Sequence, residues 1–328
     1  MKLGSLKSSN SLDGELIVVS HDNKKAVRAT AVAASLREAL EKWANVEGDL
    51  KRLYGDLNAG RASQAFDLIE KDLHAALPRT WLFADGSAFI HHIKLVRKAR
   101  KADLPETLMT VPLIYQGECG QFLTPTEDIP QRDFSHGTDF EGEVGVVTDF
   151  VPMGISPEEA LKKIRLFVMI NDVSLRGLIP EELAQGFGFF QSKPASALGP
   201  FAVTADELGD AWCEGRIHLP LQVIYNGQFF GKANAGAMHF HFGQLIAHAA
   251  KTRNLAAGSI IGSGTVSNED PAVGSSCLAE KRTIEQITDG KISTPFMKAG
   301  DTIEMKVIDN QGQNIFGTIF QRVRSVNN

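Results

Sequence analysis

Residues 139–147 read DFEGEVGVV, and no other stretch constrains the chain as much. Asp139, Glu141 and Glu143 recur at every second position, and an apolar run follows at once. In a strand alternate side chains share a face, so the three carboxylates point the same way. Stacked acids repel one another unless a cation, or a Lys or Arg side chain, lies between them. The fold therefore has to offer positive charge against that face, or else leave Glu141 and Glu143 on the solvated side of an edge strand.

Asp172 bears on this choice. It ends the apolar run Leu166 to Ile170, where an uncompensated carboxylate is costly to bury. Clustered carboxylate oxygens are the natural ligands of a hard cation such as Mg²⁺ or Ca²⁺. Further upstream, FADGSAFIHHIKLVRKAR (83–100) carries Asp85, the adjacent His91 and His92, and a basic cluster. Imidazole exchanges protons near neutrality, so either histidine beside a metal site could activate water. The plainer reading makes Asp85-Gly86 a turn and the basic residues a solvated helix face.

Lys193 stands alone in the uncharged stretch from Phe187 to Val203, so its loop is exposed or the ammonium faces an anion. In SIIGSGTVSN (259–268) the glycines match no nucleotide-binding loop, and a tight turn presenting Thr265 to a ligand is the better reading. His239 and His241 alternate with phenylalanines and lead into a helix. There is no G-x-S-x-G elbow of a serine hydrolase.

The rest of the chain sets the frame. Short strands are expected in the first 30 residues, around the apolar run Leu16 to Val19. From Ala31 to Leu73 the pattern turns helical, with Leu36, Leu40, Trp43 and Ala44 at three- and four-residue steps. Beyond Leu77 come short β-rich runs broken by Gly and Pro, with helices capped at Ser156 and Thr204 and a third over 242–253. The expected architecture is α+β, with a small N-terminal α/β domain over 1–78 and a mostly β catalytic domain over 79–328.

A net charge of -5 gives no general attraction to nucleic acid or to an anionic membrane. Cys119, Cys213 and Cys277 are scattered and lack zinc or disulfide spacing. With no secretory pattern at the start and no run of about 18 apolar residues, a soluble protein of the reduced cytoplasm is expected.

Asp85 and His92, DFEGEVGVV, MINDVSLRG, SKPASALGP, GSGTVS and Glu280, in this order, resemble the fumarylacetoacetate hydrolase family over residues 79–325. The resemblance implies a mixed β-roll fold, a homodimer, and cleavage of a carbon–carbon bond in a small diketo acid. Fumarylacetoacetate in aromatic amino-acid breakdown is the first candidate, and an acylpyruvate the next; decarboxylases and hydratases share the same cradle. It also implies that Asp85, Glu141, Glu143 and Asp172 hold a divalent metal, Mg²⁺ or Ca²⁺ with Mn²⁺ as an alternative. His92 paired with Glu280 would then activate water, with His91 a bystander, and Lys193 would bind the oxyanion. Tyr115, Arg176 and Thr265 would contact the substrate. The family's Gln three residues after that Arg is Ile179 here, for which Gln191 could substitute, and its downstream Arg falls on Arg97 or Arg100.

Overall fold

Strand Gly142–Thr148, buried along its whole length, runs through the middle of an 11-stranded mixed sheet. The computed structural model describes residues 1–99, 103 and 106–326. On one side of the central strand come Ile164–Asn171, Ala202–Val203, Lys2–Ser8, Ser11–Val19, Lys25–Arg28 and Phe66–Asp67; on the other, Ile260–Gly262, Phe83–Gly86 and Ile114–Gly117; the eleventh strand, Ala197–Leu198, pairs with Ile164–Asn171 off this path. The Ile260–Gly262 and Phe83–Gly86 pairing is parallel, and the other neighbours along this path are antiparallel.

Both faces of the sheet are covered, which explains why its central strands read as continuous apolar runs. Along Ile164–Asn171, Leu166, Val168 and Ile170 join one hydrophobic core, while Phe167 and Met169 join another. The first core holds Leu36, Leu40, Trp43, Val46 and Leu50 of helices Leu36–Glu41 and Trp43–Asn58. The second meets a five-stranded sheet, ordered Gln228–Asn234, Pro220–Tyr225, Thr302–Val307, Ile319–Ser325 and Ile129–Gln131, through Leu221, Val223 and Met305.

The N-terminal strands extend the main sheet: Lys2 and Leu3 pair with Val203 and Ala202, so the hydrogen-bond ladder crosses the expected boundary near Leu77. The helical stretch expected to reach Leu73 stops at Asn58. Gly60 takes φ +70°, and Phe66–Asp67 then pairs with Lys25–Arg28 as an edge strand. Ser156 caps Pro157–Leu161 by accepting from the Glu159 N–H. Thr204 gives no such cap, because its hydroxyl is engaged by the amine and carbonyl of Met1. The third expected helix is shorter, Phe242–Ala249. Helices Ile179–Ala184 and Leu278–Thr288 are not legible in the sequence pattern. The Asn226-Gly227 turn, with φ of 51° and 74°, closes a hairpin between Pro220–Tyr225 and Gln228–Asn234, as an Asn-Gly pair between two apolar runs favours. Among the described residues no helix is long and apolar enough to cross a membrane.

Candidate active site

Sheet register brings the first acids together. Gly262 pairs with Asp85 on one side and Gly145 on the other, two residues beyond Glu143, while Asp85 also faces Tyr115. The Asp85 carboxylate lies across Gly262, where a Cβ would sit 2.2 Å from Oδ1. Gly264, at φ +76°, packs so tightly on Gly86 that a Cβ would lie 2.2 Å from its carbonyl oxygen. In that turn the Gly264 N–H donates to Asp85 Oδ1 at 3.1 Å. The two glycines thus leave room for the carboxylate and supply it a donor.

Asp85, Glu143 and Asp172 each offer a carboxylate oxygen, and these oxygens all lie within 4.8 Å of one another. All three residues are buried. Asp172 is well supplied: Ser196 Oγ donates to its Oδ1, and Tyr115 OH and Lys193 Nζ to its Oδ2, each at 2.5 Å. Among the described residues neither oxygen of Glu143 has a hydrogen-bond partner. Burial first, then the charges of Asp85 and Asp172, push the Glu143 carboxyl well above its ordinary range. Burial and the charge of Asp172 likewise push Asp85 up to about 8. Acids this close do not all ionise without a cation between them, and buried carboxylate oxygens without donors are what a hard divalent ion takes as ligands. The residues therefore fit such an ion.

Glu141 is held differently. Its Oε1 accepts from Arg176 Nη2 at 2.6 Å, and its Oε2 from Lys193 Nζ at 2.6 Å and Ser174 Oγ at 3.2 Å. Burial opposes its ionisation, but Arg176 and Lys193 outweigh burial and hold the carboxyl well below the usual range. The four expected metal ligands thus divide into a close trio and a fourth acid joined to it through Lys193. Arg176, expected to contact the substrate, reaches the cavity and also engages the protein's own acids, its Nε donating to Asp139 at 2.8 Å.

His92, on helix Ile90–Ala99, meets Glu280, on helix Leu278–Thr288, with Nδ1 and Oε2 2.9 Å apart. A carboxylate can only accept, so Nδ1 carries the proton, and in the neutral imidazole the lone pair is on Nε2. His91 lines a separate cavity with Lys94 and His239.

A cavity of about 320 Å³ opens on His92, Glu141, Glu143, Lys193 and Thr265. Asp85, Tyr115 and Arg176 also reach it, as does Arg97, while Arg100 lies outside the described residues. Gln191 does not reach it: the residue is exposed, its N–H donates to Glu182 Oε1 at 2.6 Å, and it is absent from the lining. The expected Gln substitute is therefore not in place. Sequence reasoning also missed the apolar wall of Leu113, Ile179, Leu183 and Phe189. The one signal for it was the aromatic run before Lys193, whose Phe189 packs edge-on against Tyr115 at 5.3 Å.

The model of the fumarylacetoacetate hydrolase C-terminal region matches residues 82–324. The chain belongs to the fumarylacetoacetate hydrolase family. A second model, fumarylacetoacetase N-terminal domain 2, matches residues 1–79. Among curated proteins, 2,4-didehydro-3-deoxy-L-rhamnonate hydrolase of Sphingomonas sp. (strain SKA58) is 27% identical over 272 residues, covering 80% of this chain and 86% of the relative.

Solved structures share the fold. Maleylpyruvate hydrolase of Sphingobium sp. SYK-6, in complex with manganese(II) and pyruvate, superposes with a TM-score of 0.66 at 15% identity, covering 100% of both chains. The 2-hydroxyhepta-2,4-diene-1,7-dioate isomerase of Mycobacterium marinum gives 0.62 at 16% identity, again over 100% of both. The proteins that this chain resembles thus include hydrolases and an isomerase, and the maleylpyruvate hydrolase is seen with manganese(II).

Proposed function

We propose that this family member is a hydrolase that cleaves the carbon–carbon bond of an acidic 1,3-diketone, using a divalent ion held by Asp85, Glu143 and Asp172 with Glu141 alongside. The observation that carries the reading is the His92–Glu280 pair, 2.9 Å apart, with His92 opening onto the same cavity as the carboxylates. A bound divalent ion, Mg²⁺ or Ca²⁺ with Mn²⁺ as an alternative, supplies Lewis-acid stabilisation of negative charge on the substrate's oxygens.

The chain's own groups do the rest. His92 Nε2 takes a proton from water as its oxygen attacks the carbonyl, and Glu280 steadies the imidazolium that forms. Lys193 Nζ, buried and held protonated by Asp172 and Glu141, lines the cavity, and would turn its third donor from Ser174 Oγ, 2.8 Å away, to the developing oxyanion. The bond to the central carbon then breaks, and the proton held on His92 passes to that carbon, giving a carboxylic acid and a ketone. Tyr115 and Thr265 would orient the substrate, and Arg97 is the cavity residue suited to a distal carboxylate.

Fumarylacetoacetate, giving fumarate and acetoacetate, is the first substrate to test, supported by the match of the N-terminal segment. A second reading, an acylpyruvate hydrolase, is favoured by the apolar wall of Leu113, Ile179, Leu183 and Phe189, which suits an uncharged acyl tail. Purified protein with Mg²⁺ is to be assayed on fumarylacetoacetate, fumarylpyruvate and an alkyl acylpyruvate. Turnover of the first supports the leading reading, preference for the last supports the second, and no cleavage of any sinks both.

A further inference from the structure

Asp139 opens the acidic alternation, yet it takes no part in the carboxylate trio. Its Oδ1 accepts from the Leu278 N–H at 2.8 Å, and its Oδ2 from the Ala279 N–H at 2.9 Å and from Arg176 Nε at 2.8 Å. Leu278 and Ala279 are the first two residues of helix Leu278–Thr288, and Glu280 is the third. A helix start leaves its first N–H groups without internal partners. Here a carboxylate from 139 residues up the chain satisfies two of them, and the Cys277 sulfur accepts the third, from Glu280 N–H, at 3.3 Å.

A Glu at the third position of a helix commonly folds back to cap its own N-terminus. Glu280 instead extends to His92. The backbone ties the same segments: Glu141 and Cys277 face each other in an isolated antiparallel bridge, and the Gly142 N–H donates to Ser276 O at 2.9 Å. The acid-bearing segment and the start of the helix are therefore tied together by backbone pairing as well. Asp139 is fully buried, fixed from behind by Arg176 and by the pairing of its strand with Ser174.

We propose that Asp139 is a positioning residue for the His92–Glu280 pair: it pins the first turn of helix Leu278–Thr288, and so the aim of the Glu280 carboxylate, to the segment that carries Glu141 and Glu143. The kinetic part of this proposal rests on the hydrolase reading above; the geometric part does not. Small misplacements of a catalytic group cost rate steeply, up to about 10²-fold for roughly 1 Å.

The test uses the full chain with Asp139→Ala, Asp139→Asn, Glu280→Gln and the Asp139→Asn/Glu280→Gln double variant. Asp139→Asn keeps size and one accepting oxygen, which guards against loss of folding in the alanine variant. In Asp139→Ala, kcat is expected to fall about 10- to 100-fold with KM and Mn²⁺ affinity within about twofold, and Asp139→Asn to fall less. The double variant should be no slower than Glu280→Gln alone, because the residue acts through Glu280. Independently of any substrate, the Nδ1 proton signal of His92 in a ¹⁵N-histidine-labelled sample should be slow to exchange in the wild type and lost in Asp139→Ala as in Glu280→Gln. A sharp Nδ1 proton in folded Asp139→Ala, wild-type kcat in that variant, or multiplying losses in the double variant would each overturn the proposal. If no diketone is cleaved, the proton signal alone decides it.

Discussion

Lys193 Nζ stands 2.5 Å from Asp172 Oδ2, with the two side chains 6% and 1% exposed. The same ammonium reaches Glu141 at 2.6 Å, so one buried cation joins an acid of the trio to the acid outside it. Breaking such a pair strands the remaining charges, typically at about 3–5 kcal/mol. Lys193→Met is therefore expected to melt well below the wild type in chelator. Because a divalent ion would neutralise part of the stranded charge, Mn²⁺ should raise the melting temperature of the variant more than that of the wild type. Thermal melts with and without Mn²⁺ check this, and equal shifts in the two proteins would contradict it. Loss of the oxyanion partner should also lower kcat by about 10²-fold or more.

Glu143 and His92 line one cavity but have separable duties. Among the described residues Glu143 has no donor for either oxygen, and burial with the charges of Asp85 and Asp172 disfavours its ionised form unless a cation is present. Glu143→Ala should abolish ion binding and activity together. His92→Ala should bind Mn²⁺ as the wild type does while losing turnover by about 10²–10⁴-fold, the usual range for a general base. Calorimetric titration with Mn²⁺ beside a steady-state assay separates the two. A His92→Ala protein that no longer binds the ion would show that the imidazole belongs to the ion site.

The parts of this architecture that are legible in the sequence are those written locally. The period-two acids, the apolar run behind them and the Asn226-Gly227 turn name strands and a hairpin by chemistry that acts over a few residues. Helix Leu278–Thr288 escapes because its cap is not local: SSCLAEKRT shows a cysteine where a Ser, Thr or Asp would announce a start, and the carboxylate that completes the cap is Asp139. Arg176 is legible only in part. The resemblance matches it to a substrate-contacting residue, and the pairing of Ser174 with Asp139 is what also brings it onto the protein's own acids. Gln191 rests on residue type alone, and nothing local reveals that Glu182 holds its loop away from the cavity.

Gly262 sets the space in which Asp85 works. A Cβ there would meet Asp85 Oδ1 at 2.2 Å and the Phe83 ring at 3.2 Å, and the phenylalanine is fully buried. The carboxylate is the part that can give. Gly262→Ala should therefore turn Asp85 away from Glu143 and Asp172, weakening Mn²⁺ binding by about tenfold or more, with an overpacking cost of about 1–3 kcal/mol. Gly48→Ala is the control, since nothing lies within 4 Å of a Cβ there and the position is inside a helix; it should leave binding unchanged and the fold as stable or slightly more so. Intact ion affinity in Gly262→Ala would remove Asp85 from the ligand set.

Far from the cavity, Asp13 gives the fold a pH-dependent clamp. Arg79 Nε donates to its Oδ1 at 2.6 Å and Arg37 Nη2 to its Oδ2 at 2.8 Å, tying helix Leu36–Glu41 and the segment before Phe83–Gly86 to strand Ser11–Val19. Burial alone would raise this carboxyl, but the hydrogen bonds from Arg79 and Arg37 outweigh it and lower it from 3.8 to about 2. With the folded value below the unfolded one, the unfolded chain binds the proton more readily, so stability falls as pH drops. The contribution is fully present above about pH 4–5 and fades as pH falls through about 2. Asp13→Asn should thus be less stable than the wild type by about 1 kcal/mol near neutrality, water at the half-exposed Arg79 screening part of the interaction, with the gap shrinking steadily below pH 4. Denaturant unfolding of both proteins from pH 7 to pH 2.5 measures it. A gap that stays constant over that range would mean that the asparagine variant loses packing or hydrogen bonding alone, and that the charge of Asp13 adds nothing.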